Sequence, residues 1–190
     1  MTKQNPNYLF KICLIGEAAV GKTSIRRRYL GEGFKTDFLS TMGADFAYMS
    51  SKVEHEGKNY DLNWQIWDLA GQIAFRNVMR AYYRGSSGAL AIYDITQPQS
   101  IEAIDAWISD VQQYSDTFKD LPIVLVGNKV DLRDEIPDSL KTIHGYTKSK
   151  SLKTAGFIET SAKDGVNIQE AFDLLGRAII EANKKKTAEE

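Results

Sequence analysis

The chain has 190 residues, 43% of them hydrophobic and 26% charged, with 24 Lys and Arg against 25 Asp and Glu for a formal net charge of −1. That length suits one domain with a sizeable core, and the near-neutral balance argues against a dedicated nucleic-acid binder. No apolar run approaches membrane-spanning length, the N-terminus lacks a signal-peptide stretch, and the single cysteine, Cys13, excludes an intrachain disulfide and suits a reducing, cytoplasmic compartment.

Taken in chain order, "YLFKICLIG" (Tyr8 to Gly16) is an apolar run expected to form a buried strand, with Cys13 packed in it as a small hydrophobe. "SIRRRYLG" reads as a helix closing at Gly31. "ADFAYMSSKVEHEG" and "KNYDLNWQIWDL" read as two strands joined near Glu56, Gly57 and Lys58, with a hairpin-type turn signal there and a surface loop expected at the tip. "GALAIYDI" (Gly88 to Ile95) and "PIVLVGNK" (Pro122 to Lys129) are aliphatic runs suited to central parallel strands covered on both faces. Between them Ile101, Ile104, Trp107, Ile108 and Val111 recur at helical spacing, with Ser100 as the expected N-cap. A short strand, "GFIET", precedes a last helix, "NIQEAFDLLGRAIIEANKKK", with Asn167 as its expected cap. His55 and His144 read as surface residues without a role. The alternation implies one α/β domain over residues 1–190, a mostly parallel six-stranded sheet with helices on both faces, followed by a short basic and acidic tail at 184–190.

Ligands of such sheets bind beyond the carboxyl ends of the strands, so the residues just after each apolar run carry the chemistry. After the first strand stand Gly16, Glu17, Ala18, Ala19, Val20, Gly21, Lys22 and Thr23, a full match to G-x-x-x-x-G-K-[ST], followed by Ser24. Composition alone would produce such a match in roughly one chain in a hundred of this length, and here a strand precedes it and a helix follows. A loop of this kind wraps a β-phosphate with backbone N–H groups at a helix start whose dipole favours negative charge. Lys22 is expected to neutralise the β and γ oxygens and the Thr23 hydroxyl to ligate Mg²⁺. The plainer reading, a glycine turn with a solvated lysine, requires nothing further along the chain.

Further signals do follow. "WDLAGQ" places Asp68 at the end of the third strand as a carboxylate expected to hold Mg²⁺ through water, the second acidic element of a nucleotide site. Gly71 then stands where a backbone N–H can approach a γ-phosphate, and Gln72 where it can orient a water. Asn128, Lys129 and Asp131 follow the fifth strand; the two oxygens of Asp131 match the N1–H and exocyclic amine of guanine, a donor pair that adenine lacks. After the sixth strand "TSAK" puts Ser161, Ala162 and Lys163 where a backbone N–H can reach guanine O6. Each string is weak alone; four in order at four strand ends point to a P-loop guanine-nucleotide site.

With these residues in place the chain resembles the Ras-superfamily small GTPases over nearly its whole length, and the Rab branch best through "STMGADF", "WDLAGQ", "AYYRG" and "ETSAK". The resemblance implies a G domain that binds GTP and GDP with Mg²⁺, hydrolyses GTP slowly and acts as a molecular switch, with a link to vesicle traffic. It implies that Thr41 is the switch I threonine that binds Mg²⁺ and senses γ-phosphate, that Phe34 packs over guanine, and that Lys129 and Lys163 lay their stems along its faces. Phe46, Trp67 and Tyr82 correspond to a surface aromatic triad. Catalysis would rest on Gln72, Lys22 and Thr41. The implied partners are effectors, GTPase-activating proteins and exchange factors engaging residues around 34–46 and 71–83 of a monomer, with no nucleic-acid partner.

Departures from the family pattern are also visible. Ala18 and Ala19 stand where serine–glycine or glycine–glycine pairs are common, and the methyl of Ala18 crowds the space an incoming arginine would use. Ile73 replaces an acidic residue used in nucleotide exchange, and "FKTDFLST" offers no internal arginine. The hairpin from Phe46 to Trp67 is longer than the family's usual one. The tail holds no cysteine for prenylation and position 2 no glycine for myristoylation. Lys184, Lys185 and Lys186 would attract an anionic membrane only weakly; capping of the last helix is the plainer role. Two other functions stay open at this level: a GTP-binding scaffold of the same fold that does not cycle, and a P-loop ATPase or small-molecule kinase, which would leave "NKVD" and "TSAK" idle.

Overall fold

Strands β1 (Asn7–Ile15), β4 (Gly88–Asp94) and β5 (Ile123–Asn128) are aliphatic on both faces, and from Phe10 onward all three lie buried save for the half-buried Lys11, as strands in the middle of a sheet covered on both sides must be. The computed structural model describes residues 5–34, 41, 43–72, 76–136 and 145–189; Ile73, His144 and residues 35–40 of the first partner segment lie outside them. With β2 (Ala44–His55), β3 (Lys58–Leu69) and β6 (Gly156–Thr160) the strands form one six-stranded sheet in the order β2-β3-β1-β4-β5-β6. Every pairing is parallel except β2 with β3, so the expected α/β, mostly parallel P-loop NTPase fold is the one observed.

Because successive strand residues point to opposite faces, each strand feeds two cores. Ile12, Leu14, Leu90, Ile92, Val124 and Val126 pack with Ile25 and Tyr29 of α1 (Lys22–Tyr29) and with Phe172, Leu175 and Ile179 of the last helix. Cys13, Ile15, Ala89, Ala91, Ile123 and Leu125 pack with Met79 and Tyr83 of α2 (Arg76–Tyr83), and with Ile101, Ile104, Trp107 and Val111. Burial pushes the Cys13 thiol up to about 11, which makes it a packing residue and a poor nucleophile.

Several local expectations need correction. The segment after β4 forms two helices, α3 (Pro98–Glu102) and α4 (Ile104–Tyr114), broken at Ala103. Ser100 lies inside α3 and is no N-cap: its hydroxyl accepts from the Asp94 backbone N–H at 3.0 Å and donates to Gln97 O at 2.6 Å, tying the helix to the end of β4. Two shorter segments follow, a 3₁₀ turn at Val130–Glu135 and α5 (Gly145–Ser151), before α6 (Ile168–Glu189). Asn167 holds the N-cap place of α6, its carbonyl accepting from Ala171 N at 3.1 Å, but its φ is left-handed at 56° and its side chain donates to Glu159 O at 2.9 Å, fixing the turn between β6 and α6. The lysines at 184–186 are not a tail beyond the fold, because α6 continues past them.

The hairpin from Phe46 to Trp67 carries its length in its strands, not in a surface loop. β2 and β3 pair without a break from Ala44 opposite Leu69 to His55 opposite Lys58. Glu56 (φ 50°) and Gly57 (φ 72°) close them in a two-residue turn with both φ values positive, the form whose twist matches the strands. These long strands carry the turn to α6. There His55 Nε2 lies 2.5 Å from Glu181, and Lys184 Nζ lies 2.7 Å from Glu56 and 3.0 Å from Glu181. His55 is therefore a half-buried clasp residue instead of an idle surface one. Lys184 already fills the cation position between the two carboxylates.

Candidate functional site

Since β1, β3, β4, β5 and β6 run parallel, the loops leaving their carboxyl ends gather along one edge of the sheet. They enclose a cavity of about 700 Å³. Ala18, Ala19, Gly21, Lys22, Thr23 and Ser24 form one wall; Asn128, Lys129, Asp131, Leu132, Ala162 and Lys163 form the opposite one; Phe34, Thr41 and Gly71 stand on the rim between them. Four strand ends, those of β1, β3, β5 and β6, thus contribute to one space, together with the segment between α1 and β2.

The first wall is the glycine-punctuated loop. Gly21 has φ 103°, and a Cβ there would lie 2.2 Å from Asn128 Nδ2, so both its conformation and its clearance exclude a side chain. The first helical bond of α1 runs from Ile25 N to Gly21 O at 2.9 Å. The N–H groups before it lack helical partners and open on the cavity, as at other anion-binding helix starts. Lys22 is 6% exposed and straps the loop, its ammonium donating to Gly16 O at 2.8 Å and Glu17 O at 2.6 Å. Burial pushes this amine down to about 8, opposed by the nearby charges of Asp68 and Glu17. It is a desolvated cation awaiting an anion. Gly16, Glu17 and Val20 support the loop from behind: two accept from Lys22 through their carbonyls, and Val20 is buried at 1% exposure in the core below.

At the base of this wall three oxygen-bearing side chains meet. Thr23 Oγ1 lies 2.9 Å from Thr41 Oγ1 and donates to Asp68 Oδ2 at 2.5 Å. Asp68 is fully buried; burial raises its pKa, while the Thr23 hydrogen bond, Lys22 and Arg26 act in the other direction. Its Oδ1 has no hydrogen-bond partner among the described residues. Two hydroxyls and an orphaned buried carboxylate oxygen are hard donors that fit Mg²⁺ with part of its water shell retained. Gly71 closes over this corner, where a Cβ would lie 2.3 Å from Glu17 C and 2.4 Å from Ala18 N. Gln72 follows it on the exposed side and is not part of the cavity wall.

The second wall depends on struts that strand-end reading did not reveal. Asn128 bridges the two walls: its Nδ2 donates to Val20 O at 2.9 Å, and its Oδ1 accepts from Thr160 Oγ1 at 3.1 Å and Ala162 N at 3.2 Å. Ser161 is fully buried behind the wall, and its hydroxyl donates to Asp131 Oδ1 at 2.6 Å, setting the carboxylate plane. Lys129 reaches Asp94 at 2.6 Å. Arg28, from the last turn of α1, donates to the carbonyls of Ala162 (2.9 Å) and Lys163 and so ties the base-side loop to the phosphate-side helix. Leu132, Arg26, Arg28 and Asp94 were not legible as site residues; a run of three arginines gives no sign of which ones turn inward. Arg28→Ala is expected to speed release of bound nucleotide at least about 10-fold, since it removes both charge-assisted hydrogen bonds. Dissociation of a fluorescent nucleotide checks this, and an unchanged rate would remove Arg28 from the site.

A phosphate loop at the start of a helix, an oxygen cluster beneath it and a carboxylate-bearing wall opposite define a P-loop nucleotide-binding domain. The Ras family model matches residues 11–181. Ras-related protein Rab-8 of Diplobatis ommata is 39% identical over 183 residues, covering 96% of this chain and 83% of the relative. Rab-8B of Homo sapiens is 38% identical over 180 residues (95% and 83%), and GTP-binding protein YPT1 of Saccharomyces cerevisiae 36% over 187 (97% and 85%). The chain belongs to the Ras superfamily of small GTPases, in its Rab-like branch.

Proposed function

We propose that the protein is a guanine-nucleotide switch that binds GTP and GDP with Mg²⁺, hydrolyses GTP slowly and presents a different surface in each state. The observation that carries this reading is a single cavity lined by Lys22, Thr23 and Thr41 at one end, with Asp68 buried beneath them, and by Asp131 at the other, a span suited to phosphates and a base.

In this reading Asp131 accepts from guanine, with Lys129, Lys163 and Phe34 covering the ring faces. Lys22 and the loop N–H groups of residues 16–24 hold the phosphates. Thr23, Thr41 and Asp68 hold Mg²⁺, which supplies charge neutralisation at the β and γ oxygens. Gln72 orients the attacking water, and the chain's residues otherwise act by positioning. Intrinsic turnover is slow because "FKTDFLST" offers no arginine; a partner's arginine would raise it by about 10³- to 10⁵-fold. Contacts of Thr41 and Gly71 with γ-phosphate order their segments, and hydrolysis releases them. Effectors, activating proteins and exchange factors read residues around 34–46 and 71–83, where Phe46 is 47% exposed and Trp67 lies 5.2 Å from Phe46 and 5.3 Å from Tyr82. We place the protein in the cytoplasm as a monomer serving vesicle traffic at a membrane surface.

The test is chemical. Nucleotide released by denaturing the purified protein should be GDP; adenine nucleotide would sink the base reading, and only GTP would favour a scaffold that does not cycle. Gln72→Leu should then lower single-turnover hydrolysis of added GTP by about 10²-fold or more, the usual contribution of a positioned proton-transfer group, and leave GTP affinity unchanged. An unaltered rate would take Gln72 out of the mechanism.

A further inference from the structure

One buried cation in the site has no part in the reading above. Arg26 lies three residues beyond Thr23 on α1, so its side chain rises on the same face of the helix. It is 6% exposed. Its Nη2 donates to Asp45 Oδ2 at 2.5 Å, and its Nε stands 3.7 Å from Asp68 Oδ2 without a hydrogen bond of its own. Asp45 is the second residue of β2, just beyond the segment that carries Thr41, and its Oδ1 accepts from the Phe46 backbone N–H at 2.8 Å. One guanidinium therefore joins the switch-side end of β2 to the carboxylate at the oxygen cluster.

We infer that Arg26 is a positioning residue that competes with the metal ion for Asp68 and makes nucleotide retention less dependent on Mg²⁺. The inference rests on the reading of Asp68 as a metal carboxylate. An arginine guanidinium keeps its charge and is weakly hydrated, which suits it to a buried pairing of this kind. The Asp45 side chain is 55% exposed against 7% for Arg26, so solvent screens the carboxylate more than the guanidinium and the field at Asp68 is net positive. An ion entering beside Asp68 meets a carboxylate that already has a cation partner. Without the ion, that same partner keeps the buried carboxylate from standing alone and holds β2 against α1. Arg26 and Mg²⁺ thus stabilise one group, and removing either raises reliance on the other.

The experiment uses the full chain loaded with a fluorescent GDP analogue and measures the Mg²⁺ concentration that half-maximally slows its release, with the melting temperature in EDTA and in Mg²⁺ as a second readout. Arg26→Leu should move the half-point to about 5- to 10-fold lower Mg²⁺ and lower the melting temperature in EDTA by several degrees more than in Mg²⁺. Arg26→Lys, which keeps the charge, should stay near the unsubstituted half-point. Asp45→Asn should move it the other way, because the released guanidinium then turns wholly to Asp68. A half-point that is unchanged or raised in folded Arg26→Leu overturns the inference while leaving Asp68 as a metal carboxylate. If Arg26→Leu does not fold, the Asp45→Asn half-point decides: raised supports the inference, unchanged or lowered overturns it. Release that ignores Mg²⁺ in the unsubstituted protein would overturn the metal reading and this inference together.

Discussion

Asp131→Asn is expected to weaken GDP binding by about 10³- to 10⁴-fold, close to the discrimination available to a site built around hydrogen bonds to a base. The Asp131 side chain is 8% exposed, and Ser161 holds one of its oxygens at 2.6 Å, so the carboxylate cannot rotate away from a misfit. Guanine presents two donors, N1–H and the 2-amine, and a carboxylate accepts both. An amide places an NH₂ against one of them, which costs a hydrogen bond and leaves two buried donors facing each other. Xanthine carries a carbonyl where guanine has its amine, so the variant should gain affinity for xanthosine diphosphate as it loses GDP. Displacement of a fluorescent nucleotide by GDP, ADP and xanthosine diphosphate measures all three. A loss for GDP below 10-fold, or equal losses for every base, would show that Asp131 does not read the base.

Lys22→Met is the second large effect, with an orthogonal signature. Methionine keeps the unbranched stem that fills the loop and removes the charge. Losing one member of a buried, hydrogen-bonded charge pair typically costs 2–5 kcal/mol, so GDP and GTP affinity should fall by about 10²- to 10³-fold. The base end is untouched, so the preference for guanine over adenine should survive. GMP, which lacks the β-phosphate that Lys22 addresses, should be weakened little, and the advantage of GDP over GMP should largely disappear. Equal losses for GMP and GDP would point to a collapsed loop instead of a missing phosphate contact. The two substitutions act at opposite ends of the cavity, so their free energies should add in the double variant unless the Asn128 strut couples the walls.

Apart from Phe34 and Thr41, which only the family resemblance pointed to, the candidate catalytic and nucleotide residues read from the chain share one property: each belongs to a short string at the end of an apolar run. The loop from Gly16 to Thr23 needs glycine for backbone clearance, lysine for charge and threonine or serine for an oxygen, and few residue types do those jobs at that spacing. Asp68, Gly71 and Asp131 were legible for the same reason. The residues that hold them were not. Ser161 could be placed at the site, but nothing in "TSAK" shows that its hydroxyl turns back to orient Asp131 instead of facing the ligand. Asn128 was read with the base, whereas its side chain is spent on Val20, Thr160 and Ala162. Arg26 and Arg28 belong to one basic run, yet one faces the oxygen cluster and the other the base-side loop, because residues two apart on a helix point in different directions.

The same division holds for the fold. Local pattern was enough for the strands, their mostly parallel arrangement and the position of the loop, because burial on both faces imposes an aliphatic run and a phosphate loop imposes its glycines; the order of the strands across the sheet was not legible. Local pattern failed wherever a side chain had two partners to choose from. Ser100 could cap a helix or fasten Asp94; Asn167 could cap or fasten Glu159; His55 could sit in water or against Glu181, and in each case the partner lies on another element. The sequence by itself determined that this is a P-loop α/β protein of the Ras superfamily with its motifs gathered at the strand ends. Only the tertiary structure decided which side chains hold that site in shape, since a hydrogen bond between residues distant in the chain depends on packing that brings them together and leaves no local pattern.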